Sequence, residues 1–286
     1  MKRPVLDEAA VFVLFRVCLG LYLMAHFWQL LPWGAEVFSR EGVIPEVGWN
    51  LTRGLFPSPL NHMDTPTGVT WMLVAGLISG AALVAGVGRP LAAVAGWYVW
   101  TCLFHRNNLI SNPALPYIGL ALLLCALAPP GEGGQGWAGR SDIRHPWKLP
   151  GGLRACMGWL LALGYSFSGW TKLSSPSWVD GSAMARLLEN PLARRNWVVE
   201  ELSQLPESLL AVGAWGVLGL ELGSLMFWCF RKTRSWVWLA WAGMHGGILV
   251  VCDFADLTLG MLVAQLLVLD PKRWWKEEGK GEGREG

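Results

Sequence analysis

The sequence predicts an all-α protein, a polytopic transmembrane helical bundle of about eight spans, and three observations lead there. Of its 286 residues 53% are hydrophobic and only 15% charged, whereas soluble domains carry roughly a quarter charged residues. The apolar residues gather into segments close to the length of about 20 that a bilayer requires. The 35 glycines and 19 tryptophans suit close helix contact and the lipid–water boundary respectively. The mean hydropathy of +0.36 agrees. A net charge of +2 offers no basic face for nucleic acid, and the lipid bilayer is the expected partner.

Taken in order, the first segment runs near 9–33. It is too long for the apolar part of a signal peptide and lacks a small-residue cleavage site, so it reads as a retained helix. Segments near 68–88 and 90–109 are parted by Gly88-Arg89-Pro90, and 112–129 stops at Pro129-Pro130. Proline, with fixed φ and no N–H, ends a helix at such joints. Segments near 152–172, 208–230, 235–252 and 256–270 complete the set, with Pro271 closing it. The last two are short and share the polar joint Asp253-Phe-Ala-Asp256, so the span count ranges from seven to nine. Two longer connections lie at 34–67 and 173–207. In the second, 180–202 can form an amphipathic helix lying in the interface. The Gly-rich stretch 131–150 reads as a connector, and Asn50-Leu-Thr52 is a glycosylation sequon of low specificity. A membrane domain is expected over 1–276 and a disordered, charged tail over 277–286.

Orientation follows from lysine and arginine placement. With both termini in the cytoplasm, most of the 23 basic residues fall on the cytoplasmic side, above all the Arg231-Lys-Thr-Arg234 turn. Lys172 and the segment after it then face outward. The six cysteines, Cys18, Cys102, Cys125, Cys156, Cys229 and Cys252, all sit in apolar stretches without a C-x-x-C, which excludes a disulfide framework. No metal-ligand spacing is visible, because His245 has no second histidine three or four positions away.

Charged side chains inside spans are costly and mark function by default. Arg16 and His26 lie in the first segment, Glu221 in the sixth, His245 in the seventh, and Lys172 at the outer end of the fifth. A lysine desolvated at that boundary loses its proton more readily and can serve as a general base; the plainer alternative is a lysine snorkelling to the headgroups. Glu221 reads as a proton carrier, or as a structural partner of Arg16. His245, among Gly243, Gly246 and Gly247, sits where a ligand or a neighbouring helix can approach. Asp253 and Asp256 read most simply as helix caps.

Two stretches carry a family likeness. Ser168-Gly-Trp-Thr-Lys-Leu-Ser-Ser-Pro-Ser-Trp-Val-Asp-Gly-Ser-Ala-Met184 resembles the lysine segment of vitamin K-dependent γ-glutamyl carboxylase. Met244-His245, followed by Gly260-Met261 and an apolar run to Asp270-Pro271, resembles the later part of the same proteins and of their bacterial relatives, the HTTM (horizontally transferred transmembrane) family. The resemblance covers about 150–275. It implies a bacterial cytoplasmic-membrane protein with an outward-facing cavity for a quinone, hydroquinone or other lipid-soluble molecule. Lys172 would be the base, with Glu221 and His245 in support and Trp170, Trp178, Gly260 and Met261 around the bound molecule. Where the carboxylase has a further catalytic histidine this chain reads Ser111-Asn112-Pro113-Ala114, and it has no counterpart of the large lumenal substrate domain. Carboxylation of glutamate is therefore not expected. Two other readings stay open: a DoxX-like, non-catalytic subunit with a redox or thiol-oxidoreductase partner, and a transporter using Glu221 and Arg16.

Overall fold

The computed structural model describes residues 7–45, 55–132 and 147–269. The sequon at Asn50, most of the 131–150 connector, Pro271 and the 277–286 tail lie outside these. The described chain is all-helical. Twelve α-helices follow one another: α1 Glu8–Leu30, α2 Gly34–Phe38, α3 Pro66–Ala85, α4 Arg89–Arg106, α5 Leu115–Leu127, α6 Gly151–Lys172, α7 Pro176–Val179, α8 Ala183–Leu188, α9 Trp197–Ser203, α10 Glu207–Cys229, α11 Arg234–Val251 and α12 Ala255–Leu266. The eight segments expected from apolar run length correspond to α1, α3, α4, α5, α6, α10, α11 and α12. By length and composition α1, α3 and α10 are long and apolar enough to cross a membrane; α5 and α12 are apolar but shorter.

Local chemistry sets the ends. The Asp7 carboxylate accepts from Ala10 N–H at 2.7 Å and starts α1. The Thr65 hydroxyl accepts from Gly68 N–H at 3.2 Å, with Pro66 at the first helical position of α3, so each satisfies a donor that has no partner in the helix. Gly86 ends α3 at φ +71°, the left-handed conformation that glycine adopts without steric cost. Two buried arginines close the same end of the bundle. Arg16 donates to the carbonyls of Leu83 and Val84 in the last turns of α3. Arg89 donates to the carbonyls of Cys125 in the last turn of α5 and of Ala128 and Pro129 just beyond it, and Glu132 bonds Arg89 at 2.8 Å. Guanidinium groups are well suited to the negative ends of helix dipoles.

The long helices alternate in direction. On one side α1 packs against α3, α3 against α4, and α4 against α5; on the other, α6 lies along α10 and α10 along α11; α12 touches α1, α5 and α11 and joins the two groups. Small residues allow this closeness. A Cβ on Gly20 would meet the Gly80 carbonyl oxygen at 2.6 Å, so α1 and α3 cross backbone to backbone, as membrane helices do. Large apolar side chains also face outward along the helices, among them Trp71, Ile78, Leu163, Phe167 and Met226. Such a continuous apolar exterior needs a covering.

The connection over 173–207 departs from expectation. No continuous helix spans 180–202; the chain makes three short helices, α7, α8 and α9. Gly181 sits at φ +86°. The side chains of Asp180 and Asn190 take the N–H groups of Ser182 and Leu192 at 2.8 and 2.9 Å, offering the backbone turns in place of helix. Pro191 disfavours helix for the residue before it. Beyond it the strip 192–194 binds the end of α11: Arg194 N–H donates to the Val251 carbonyl at 2.8 Å, and Asp253 N–H to the Leu192 carbonyl at 2.7 Å.

Candidate functional site

Helices α6 and α10 approach backbone to backbone at Gly169, where a Cβ would lie 2.7 Å from Leu222 N and 3.0 Å from Glu221 Cβ. Ser166, one turn earlier, receives the Leu225 N–H at 2.8 Å. This contact fixes the height of Glu221 relative to α6. Lys172, three residues beyond Gly169, folds its side chain back along its own helix. Its Nζ donates to Glu221 Oε2 at 2.5 Å and to Ser168 Oγ at 2.9 Å. The Trp178 ring, carried by α7, lies 5.0 Å from the ammonium. The Glu221 side chain is 6% exposed and that of Lys172 21%. The carboxylate is thus closed in and the amine is partly open on the side of Trp178. Glu221 lies fourteen residues along α10, about 21 Å from its start, so the pair is well inside the helical layer.

His245 does not join this pair. Its Nε2 is 2.7 Å from the Tyr165 hydroxyl, and Gln265 Nε2 donates to the same oxygen at 2.9 Å. With Gln265 donating, the hydroxyl proton is directed to His245 Nε2, so the remaining imidazole hydrogen is on Nδ1. That atom and Gln265 Oε1 are buried without a hydrogen-bond partner among the described residues. Trp241 stacks on Tyr165 at 4.6 Å and on Trp228 at 5.1 Å, and its indole N–H donates to Ser224 Oγ at 2.9 Å. Ser224 is one turn along α10 from Glu221, and Tyr165 two turns along α6 from Lys172, about 10 Å. The two clusters are neighbours on the same pair of helices, separate in their bonding.

The other expected residues are dispersed. Trp170 is 68% exposed and lies away from the buried carboxylate. Gly260 fits against Ala114 and Tyr22, and Met261 is buried; both belong to the contact of α12 with α1 and α5. Arg16 is not a partner of Glu221, because its guanidinium is committed to the end of α3 and to Glu132 at 3.8 Å. Asp253 and Asp256 are not caps either. Asp253 pairs with Arg194 at 3.2 Å on the surface. Asp256 accepts from Tyr22 at 3.0 Å, His26 Nδ1 at 2.7 Å and Asn112 Nδ2 at 2.7 Å, and so ties α12 to α1 and to the start of α5. Asp256 lies in the first turn of α12, whose N-cap position is Phe254 with no side-chain cap.

Residues missed in the sequence were Tyr165, Gln265, Trp241 and Asn112. Gln265 and Asn112 could have been found by the rule that singled out Glu221, since an amide in an apolar segment demands a partner. Among the described residues no group of three or more metal-ligating side chains occurs. Comparison with family models, curated proteins and solved structures returned no match.

Proposed function

We propose that this is an integral membrane protein of the HTTM type, with eight spans and both ends in the cytoplasm, that binds a quinone, hydroquinone or other hydroxyl-bearing lipid-soluble molecule beside Lys172 and Glu221 and performs proton transfer on it. One observation carries this reading: an amine and a carboxylate 2.5 Å apart on two packed helices, with the carboxylate shut off from solvent and an aromatic wall over the amine. A structural ion pair does the same holding work less well than apolar residues would, so its presence in an apolar bundle asks for a use.

A hydroquinone would supply an acidic hydroxyl. Glu221 Oε2 takes the proton, Lys172 Nζ holds the negative charge left behind, and Ser168 Oγ steadies the amine. The lysine assigned as sole base from the family likeness thus becomes one half of an acid–base pair. Trp178 excludes water from the exposed side, which strengthens each of these interactions.

The test is to purify wild type, Lys172→Ala and Glu221→Gln from bacterial membranes in mild detergent and to extract and quantify bound quinones. Retention by wild type and loss from both variants supports the proposal. Absence from wild type, or equal retention by all three, ends it.

A further inference from the structure

A second polar cluster, bonded to neither Lys172 nor Glu221, is centred on His26 of α1. Its Nδ1 lies 2.7 Å from Asp256 Oδ1, which also accepts from the Tyr22 hydroxyl at 3.0 Å, while Asn112 Nδ2 donates to Asp256 Oδ2 at 2.7 Å. A carboxylate has no hydrogen to give, so Nδ1 is the donor, and in the neutral ring Nε2 is the acceptor. Nε2 has no hydrogen-bond partner among the described residues, and, unlike His245 Nδ1, it is not sealed off from the surface. The ring is held in place. Trp100 lies 4.6 Å away, its own indole N–H fixed on the Leu115 carbonyl at 3.0 Å, and Phe27 presents an edge contact. His26 lines a pocket of about 30 Å³ with Trp100, Leu103 and Leu115. None of Tyr22, Asn112 and Asp256 is in that lining, so the pocket meets the ring on the side away from Nδ1. Asn107, also in the lining, is committed to the Val37 carbonyl and the Leu109 N–H. Trp100, Phe104 and Leu115 are shared with an adjoining groove of about 330 Å³ between α4 and α5, which continues past Gly119, Leu120 and Leu123. Its one hydroxyl, that of Thr101, donates to the Trp97 carbonyl at 2.8 Å. The two volumes admit different things. The inner one has room for one or two water-sized groups, and the outer one matches the lower end of small-molecule pockets.

We infer that the groove holds the apolar body of a long-chain alcohol and the inner pocket its terminal hydroxyl, which donates to His26 Nε2. The head must be small, because a ring does not fit the inner volume, and it must carry a hydrogen, because Asp256 fixes Nε2 as an acceptor. An acceptor covered by an apolar chain without a donor loses its solvent for nothing in return, so an alcohol is preferred over an alkane of the same length. The inference does not depend on the Lys172 site.

The full-length protein, labelled with nitrogen-15 at its five histidines, is held in detergent micelles and titrated with 1-dodecanol or with dodecane while the ring nitrogens are followed by NMR. His26→Gln identifies the His26 signals. Gly119→Leu fills the groove from a position where a Cβ makes only ordinary contact, 3.7 Å from Trp100 Cδ1, so the fold and the His26 signals are expected to persist. Before addition, His26 should show hydrogen on Nδ1 and none on Nε2. Dodecanol is expected to shift the Nε2 resonance saturably, dodecane to leave it in place, and Gly119→Leu to lose the response. Lys172→Ala should respond as wild type does, so this inference and the Lys172 reading fail separately. A hydrogen already on Nε2, no shift with dodecanol, the same shift with dodecane, or an unchanged response in Gly119→Leu overturns the inference.

Discussion

Replacing Lys172 by methionine probes the pair at its most exposed partner and leaves its most buried one alone. Methionine keeps the length and the apolar contact with Trp178 but strands Glu221, whose side chain is 6% exposed. Removing one partner of a buried pair costs about 3–5 kcal/mol. The partial exposure of Lys172, 21%, lets water reach the carboxylate through the space vacated, so the lower end, about 3 kcal/mol, is expected. Glu221→Leu is milder, roughly 1–2 kcal/mol, because the amine keeps Ser168 at 2.9 Å and can extend towards solvent. The double variant Lys172→Met/Glu221→Leu removes both charges and is expected within about 1 kcal/mol of wild type. The implied coupling is about 3 kcal/mol or more, far above the few tenths seen for independent sites. The assay is unfolding in mixed micelles with increasing denaturing detergent, followed by tryptophan fluorescence, for all four proteins. Single-variant losses that simply add in the double variant would refute a desolvated pair.

Further outcomes follow from other contacts. Gly169→Val places a Cβ against the Leu222 backbone nitrogen, which cannot yield, so α6 and α10 must part; a loss of about 2 kcal/mol is expected, with quinone retention falling in the same protein. Asp256→Asn leaves at least one of the Tyr22, His26 and Asn112 donors unmatched and should cost about 1–3 kcal/mol, read as a lowered unfolding midpoint with the Lys172 site intact. Arg89→Met uncovers the carbonyl end of α5 and leaves Glu132 with only the longer contact to Arg16 at 3.8 Å; a loss of about 3 kcal/mol is expected, and restoration by Arg89→Lys should be incomplete because one ammonium cannot reach three carbonyls.

The helices were legible because an apolar run of membrane length, closed by proline or glycine, has few alternatives. Helices α1, α3 and α6 begin and end within a few residues of the expected segments near 9–33, 68–88 and 152–172. The broken 173–207 segment was less legible. Its periodicity allows a helix, but Asp180, Asn190 and Pro191 capture the local backbone, and pairing with α11 decides the rest. That Lys172, Glu221 and His245 are special was readable from their cost in apolar surroundings. Their partners were not, because partner choice depends on the height at which two helices cross. The Gly169 contact sets that height, and it delivers Glu221 to Lys172 rather than to Arg16. The same limit hid Asp256, whose three donors come from positions 230 or so residues and 144 residues away in sequence.

The central claim is that Lys172 and Glu221 jointly exchange a proton with a hydroxyl brought in from the lipid. Infrared difference spectroscopy of the reconstituted protein, recorded before and after addition of a short-chain hydroquinone, reports on that carboxyl group directly. The account predicts loss of a carboxylate stretch and gain of a protonated carboxyl band in wild type, with both changes missing in Glu221→Gln. An unchanged spectrum in wild type, or the same change in Glu221→Gln, would contradict it.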